Sequence, residues 1–573
     1  MIKKYSSAFA RPEMVAQNNI KFDIVDHKFR GQKFYGHEGG FPLMYNSENK
    51  ALILDPSDNH QIILGATGSK KTRAIIMPTI KVLAYAGESM IIHDTKGELY
   101  ARHSHELTDL GYNIVTLSFR DPSVGNAWNP LAIPYTYYSQ GDIDKANEFS
   151  NDVARSICMA KESNGDPYWQ TAAADTLFGL LLLLMEYVKE SNLPATEVNI
   201  ANLIKLKREL FNNKKSREPK NTDIWKWASE NELIYAALSG TVLTANDTRA
   251  GVVSTLDSAL RTFIINQTLT SMLSNNDIDI ASIGAEKTAV FLITPDEKTS
   301  MLGIVSLFVQ QSYQYLIYKA IECGGQIGIR INYILDEFSS LPVIGSTGDF
   351  VSMISAARSR NIRFLIACQS FGALKKRYGD EKDAIVANCT NMVFLFSREL
   401  ELLKYLSELC GSKTDGKPNI TISELQQLDK ESNQALLFNG RLKPALVNFL
   451  DIDKFDKIKN PVMLGKTQRD KVGNIDFSQL PDFAKKIIEK GLNASKTPNP
   501  FESQKIEGIT EPILENAISD RKLSVNESNE DDSLNLEKLM KKLDKEIADL
   551  EQQEKLSQNI QERAKEIDFI KEG

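Results

Sequence analysis

The sequence is short of paired cysteines. Its five, Cys158, Cys323, Cys368, Cys389 and Cys410, are scattered, with no C-x-x-C pair among them. An odd, dispersed set argues against a disulfide framework and a cysteine zinc site, and for a reducing cytosol. Long apolar runs are missing too. The most apolar stretch, residues 177–185, is well short of the roughly 20 residues a membrane span needs, and it reads as part of a buried helix. The opening residues MIKKYSSAFARPEM carry two lysines but no apolar run, so no secretory signal is expected. Positive charge is not in excess: the formal net charge is −7. Residues 525–573 hold about fourteen acids against eight bases, which leaves the remainder near neutral. Any contact with nucleic acid must therefore use a local basic surface. His103 and His105 have no evident third ligand, and a surface location is expected for both.

What is present is a 573-residue chain, 42% hydrophobic and 25% charged, an ordinary composition for a soluble protein of two to four domains. Its organising stretch is GATGSKKT, residues 65–72. It follows the apolar run Ile62-Ile63-Leu64 and precedes a helical pattern from Arg73, the strand–turn–helix context of a phosphate-binding loop. In such a loop Gly65, Ala66, Thr67, Gly68, Ser69 and Lys70 turn backbone N–H groups toward phosphate. Lys71 reaches the β- and γ-phosphates and Thr72 ligates Mg²⁺. One position departs from G-x-x-x-x-G-K-[ST]: Lys70 stands where the second glycine belongs. A side chain there either crowds the loop or adds an attractive ammonium group.

Short apolar strands alternate with helical stretches over residues 41–139 and again over 286–455, which predicts an α/β fold with a parallel sheet. Between them, residues 140–285 show only helical periodicity, with residues 205–223 reading as an exposed turn; this is an all-α domain inserted into the α/β domain. Residues 1–40 read as an irregular polar lead-in. Residues 456–573 read as a linker followed by an acidic amphipathic tail, where Leu536, Met540, Leu543, Ile547 and Leu550 keep a heptad spacing.

Four further features supply what a phosphate loop needs. Asp336 and Glu337 end the apolar strand beginning at Ile331. Asp336 suits a metal held through water, and Glu337 suits a base that orients and deprotonates the attacking water. Gln369 ends the next strand, where a side-chain amide can sense a γ-phosphate. Arg358 and Arg360 lie between those strands, and either can act as a finger on a neighbouring subunit's nucleotide. Asp94 also ends a strand and competes with Asp336 for the metal; the acidic pair favours Asp336.

The chain resembles the type IV secretion coupling ATPases, the TraG/TraD-like group related to the FtsK-type DNA pumps. The resemblance rests on the loop together with HDTKGELY (93–100), AWNPL (127–131), DPYWQTAAADTL (166–177), YILDEFSSLP (333–342), AARSRNI (356–362), IACQSFGALKKRYG (366–379) and IVANCTNMVFL (385–395). It covers roughly residues 40–450. It implies a RecA-like P-loop nucleotide-binding domain interrupted by an all-α domain, using ATP and Mg. It also implies a hexameric homo-oligomer at the cytoplasmic mouth of a type IV channel, delivering relaxase-bound single-stranded DNA or protein effectors. Carried over, Lys71 and Thr72 are the phosphate and Mg²⁺ residues, Asp336 and Glu337 the metal-water and catalytic acids, Gln369 the sensor, and Arg358 or Arg360 the finger. Most members begin with transmembrane helices and none is read here. The expectation is therefore a cytoplasmic protein, peripheral at the inner face of the membrane, that docks on a separate membrane-anchoring partner or belongs to a soluble branch. A degenerate nucleotide-binding adaptor that recruits cargo without pumping is the alternative, motivated by Lys70.

Overall fold

The computed structural model describes residues 9–494, apart from 18, 160–165, 213–217, 346–348 and 456–459. The expected amphipathic tail lies outside the described residues. Strand β1 is Ile20–Asp23, β2 Phe29–Arg30, β3 Phe41–Asn46 and β4 Ala51–Asp55, and they form a four-stranded antiparallel sheet in the order β2-β1-β4-β3. The lead-in is therefore not irregular: a short helix, Pro12–Ala16, is followed by a strand whose inward residues Ile20 and Phe22 are buried. Four residues of alternation are too short a signal to stand out of a polar stretch. Residues 52–54 are a strand as expected, but they pair antiparallel with β1 and β3 rather than entering the parallel sheet.

The main sheet has nine strands. In chain order they are β5 Gln61–Leu64, β6 Ser89–Asp94, β7 Asn113–Ser118, β8 Thr288–Ile293, β9 Ile331–Leu335, β10 Ile362–Cys368, β11 Asn391–Phe394, β12 Gln434–Asn439 and β13 Ala445–Asn448. Across the sheet the order is β13-β12-β11-β5-β10-β9-β6-β8-β7. Neighbours from β11 to β7 pair parallel, while β12 and β13 close one edge as an antiparallel hairpin. The parallel strands are buried on both faces, as their near-continuous apolar runs require. Alternation sorts their side chains: Ile62 and Leu64 join one core, while Ile63 joins the other.

Helices Ile143–Cys158, Pro167–Glu190, Ile200–Asn212, Asp223–Ala228, Glu232–Val242, Asn246–Ile265 and Gln267–Met272 occupy the stretch between β7 and β8. They share a core with the Ile62 face of the sheet. Pro167–Glu190 is long and apolar enough to cross a membrane by length and composition, but 72% of its apolar window is buried inside the protein. Asp166 caps it by accepting from Tyr168 N–H, and Pro167 takes the first turn, where no N–H is missed. Its Gly179 lets the Glu232–Val242 helix approach closely; a Cβ there would stand 2.6 Å from Leu238 Cγ. The expected exposed turn from residue 205 is corrected in its first part. The helix runs on to Asn212, and Lys207 is buried against Asp257 at 2.6 Å. A lysine on the inner face of a helix is misread as solvent-facing when its partner lies 50 residues away.

Candidate functional site

Register brings the candidate residues to one edge. Leu64 aligns with Cys368 on one side and Phe394 on the other, and His93 aligns with Leu335. The carboxyl ends of β5, β10, β9 and β6 therefore lie side by side, the edge where open parallel sheets bind ligands. The loop leaves β5 there and is pinned at its start: Gly65 N–H donates to the Cys368 carbonyl at 3.0 Å and Ala66 N–H to the Phe396 carbonyl at 2.7 Å. Gly65 has no room for a side chain, because a Cβ would stand 2.5 Å from Ser69 Oγ. Thr67 and Gly68 form the exposed crest. The helix that follows opens as a π-helix, Thr72–Ile76, before continuing as Met77–Ala86. First-turn N–H groups of a helix have no partner within it and face the mouth of the loop.

Lys70 takes φ +67°, the left-handed region that glycine normally fills. The chain thus keeps the glycine path despite the side chain. The Lys70 ammonium is turned outward and donates to the Lys430 carbonyl at 3.2 Å. Arg73, one turn on, pairs with Asp451 at 2.9 Å and with Asp453. The segments before β12 and after β13 are thereby tied to the outer flank of the loop. Lys71 is buried, and its Nζ donates to the Gly65 carbonyl at 2.6 Å, across the mouth of its own loop.

Thr72 Oγ1 donates to Asp336 Oδ2 at 2.9 Å, so the two side chains expected at a metal are already in contact. Burial and the neighbouring Glu337 charge raise the Asp336 carboxyl to about 6, against the opposing influence of Thr72 and Lys71. Glu337 takes φ +54°, a strained conformation for a non-glycine residue. That kink directs its Oε1 to Gln369 Nε2, which donates at 2.7 Å. Glu337 Oε2 is buried and has no hydrogen-bond partner. A buried carboxylate oxygen without a donor calls for one, which a water or hydrated ion would supply. The donor set fits a divalent cation with a phosphate: one hydroxyl, hard carboxylate oxygens and a lysine beside them.

Asp94 is differently employed. Its carboxylate accepts from Gly97 and Tyr100 N–H, both at 2.8 Å, and holds the turn into the helix Glu98–Asp109. Its pKa is raised, by burial first. A residue that the sequence reading passed over stands beside the acids. Buried His93 sets Nδ1 2.7 Å from the Asp336 carbonyl and Nε2 3.1 Å from Thr294 Oγ1. A carbonyl only accepts, so the partners assign the proton to Nδ1, and burial lowers the imidazole to about 4. The available signal was its place in HDTKGE, directly before the strand-ending Asp94. His103 is corrected: it is buried, whereas His105 is exposed and paired with Asp109. Among the described residues, no three or more His, Cys, Asp or Glu side chains gather as a metal-binding group.

The arginines lie at the other edge. Arg358 and Arg360 form a short turn before β10, whereas Gln369 follows its end. Seven residues of strand separate them from this chain's own loop, roughly 23 Å at strand rise. Arg358 donates to Asp58 at 3.2 Å and Arg360 to the Gly325 carbonyl at 3.0 Å. Neither reaches its own loop.

The family model described as type IV secretory system conjugative DNA transfer matches residues 11–439. No curated protein matches the chain. The solved structure of the unbound bacterial conjugative coupling protein TrwBdeltaN70 superposes with a TM-score of 0.52 at 13% identity, covering 78% of this chain and 99% of that one. The plasmid coupling protein TrwB with the ATP analogue ADPNP gives 0.52 at 14% identity over 72% and 90%. TrwB with ADP and Mg²⁺ gives 0.52 at 15% over 73% and 90%. At such identities the likeness is one of fold: a RecA-like P-loop α/β domain with an inserted helical domain.

Proposed function

Because this chain belongs to the type IV secretory system conjugative DNA transfer family, with a coupling role in type IV secretion and conjugation, we propose that it drives that role by Mg²⁺-dependent ATP hydrolysis. The observation that carries the reading is the contact of Thr72 with Asp336 beside the Glu337–Gln369 pair, all at the mouth of the loop. Bound Mg²⁺ would supply charge neutralisation between phosphate oxygens, held by Thr72 and Asp336. Lys71 exchanges the Gly65 carbonyl for phosphate oxygens. Glu337 offers Oε2 to the attacking water, orients it and takes its proton. Gln369 exchanges Glu337 for the terminal phosphate, which makes its hydrogen bond report nucleotide state. The TrwB structures with an ATP analogue and with ADP and Mg²⁺ support ATP and Mg²⁺ as the ligands.

Because Arg358 and Arg360 sit at the far edge of the sheet, either serves phosphate only across a subunit boundary. A ring, most simply a hexamer, provides such boundaries. The cargo is relaxase-bound single-stranded DNA or a protein effector, passed to channel components at the inner face of the membrane with a membrane-anchoring partner. Lys70 follows the left-handed backbone path of a glycine, which supports a working loop over a passive adaptor. Steady-state ATPase measurements with cargo present test the proposal. Lys71→Ala and Glu337→Gln are each expected to lower turnover by 10²-fold or more, on the order of one lost transition-state contact. Turnover insensitive to both variants would overturn the assignment.

A further inference from the structure

The chain leaving β11 touches both the phosphate loop and the sensor. Leu395 N–H donates to the Leu64 carbonyl at 3.0 Å, and the Phe396 carbonyl accepts from Ala66 N–H at 2.7 Å. Shortly beyond, the Glu399 carboxylate accepts from two backbone donors at once: Phe371 N–H at 2.8 Å through Oε2, and Gly372 N–H at 2.7 Å through Oε1. Those residues open the helix Phe371–Tyr378, which begins just beyond Gln369. We infer that Glu399 is a positioning residue for the Gln369 sensor, and that it ties the sensor's backbone to the segment that holds the start of the loop. Its effect on turnover rests on the ATPase reading; the tie itself does not.

The chemistry of the contact suits that role. First-turn N–H groups have no partner inside their own helix. Glu399 takes those of Phe371 and Gly372, and Ser370 Oγ accepts the next, from Ala373, at 3.0 Å. A carboxylate there is a charge-assisted acceptor at the positive end of the helix dipole. The approach is close: a Cβ at position 372 would stand 3.2 Å from Glu399 Oε1. On the other side of the sensor, the Cys368 carbonyl is held by Gly65 N–H at 3.0 Å. Only Gln369 and Ser370 lie between these two anchors, and both anchors lead back to the loop. The exchange of Glu337 for a terminal phosphate therefore falls to the Gln369 side chain, because its backbone is fixed on either side. The helix stays seated without the carboxylate. The Tyr405 ring, on the helix Leu400–Leu409 that follows Glu399, packs edge-on against Phe371 with centroids 5.2 Å apart.

The test uses the full chain with cargo present and the variant Glu399→Gln, which keeps the side-chain volume but leaves a single oxygen to accept with. The kcat is expected to fall roughly tenfold, the scale of one charge-assisted hydrogen bond. The Kd for a fluorescent ATP analogue should stay within about twofold, because the interaction lost is not one with bound nucleotide. In a Gln369→Ala background the same substitution should change kcat by less than about twofold, since the residue it positions is gone. Equal falls in both backgrounds, or a Kd that rises as kcat falls, would overturn the inference and reduce Glu399 to a helix cap. Hydrogen exchange followed by mass spectrometry reads the tie without turnover. The amides of Phe371 and Gly372 should exchange roughly tenfold faster in Glu399→Gln than in the parent. Unchanged exchange at both amides would overturn the inference by itself. A parent with no ATPase activity that still shows this exchange difference would sink the catalytic reading and leave the tie standing.

Discussion

At the residue scale, the least expected position is Lys70. An L-residue in the left-handed region costs about 1–2 kcal/mol, and Lys70 takes it at φ +67° with its ammonium held by the Lys430 carbonyl. Lys70→Gly should leave the loop path intact and the Kd for a fluorescent ATP analogue within about threefold. Lys70→Val, β-branched and far costlier at positive φ, should weaken binding by roughly tenfold. His93 is the second such residue. It grips the carbonyl of Asp336, directly before the kinked Glu337, from a buried site where only the neutral ring fits. His93→Leu removes that donor, and kcat should fall by about tenfold while nucleotide Kd stays unchanged. His93→Asn, whose amide reaches the Nδ1 position, should recover most of the loss. Equal damage by both variants would reduce His93 to a packing role.

At the scale of elements, β5 and β10 are stitched at their start as well as at the site. His60 Nε2 donates to the Ile354 carbonyl at 2.7 Å, while Nδ1 accepts from Phe364 N–H at 2.9 Å. Both ring nitrogens are used by the neutral form, and burial lowers the folded pKa to about 4 from 6.5. The unfolded chain binds the proton first. Stability is therefore full above pH 6.5 and is lost as pH falls toward 4. Urea midpoints measured across that window should decline on acidification, and His60→Asn, which keeps a donor and an acceptor without titrating, should flatten the decline. A midpoint curve identical in the variant would assign the acid sensitivity to other groups.

At the scale of the whole molecule, the loop and the arginines lie at opposite edges of one sheet, and the proposed finger therefore acts on a second chain. Lys71→Ala protein lacks its own loop function but still offers Arg358 and Arg360 to a neighbour. An Arg358→Ala or Arg360→Ala protein does the reverse. Mixing the loop variant with the finger variant should restore turnover above either alone, because some boundaries regain an intact loop facing an intact arginine. A mixture no more active than its components would place the finger elsewhere. Complementation by one arginine variant only would choose between the two positions, which the strand spacing leaves open.

The sequence by itself determined the kind of fold and the kind of site. Two-sided apolar strands alternating with helices force a parallel sheet with covered faces. A glycine turn after such a strand, with acids and an amide ending others, brings those side chains to the carboxyl edge, since every parallel strand points the same way. Runs too short or too polar to show a period are not legible in this way: β1 and β2 read as an irregular lead-in, and the antiparallel hairpin β12–β13 is not distinguished within the α/β stretch. Tertiary contacts separate the two strand-ending acids, which the sequence ranked only through the acidic pair at Asp336 and Glu337. Asp94 spends its lone pairs on Gly97 and Tyr100, whereas Asp336 meets Thr72. The tertiary structure also placed Lys70 in the left-handed region with its ammonium turned outward. Backbone sign and partner choice depend on contacts across 264 residues for Thr72 and Asp336, and 360 for Lys70 and Lys430. No local pattern carries information over such separations.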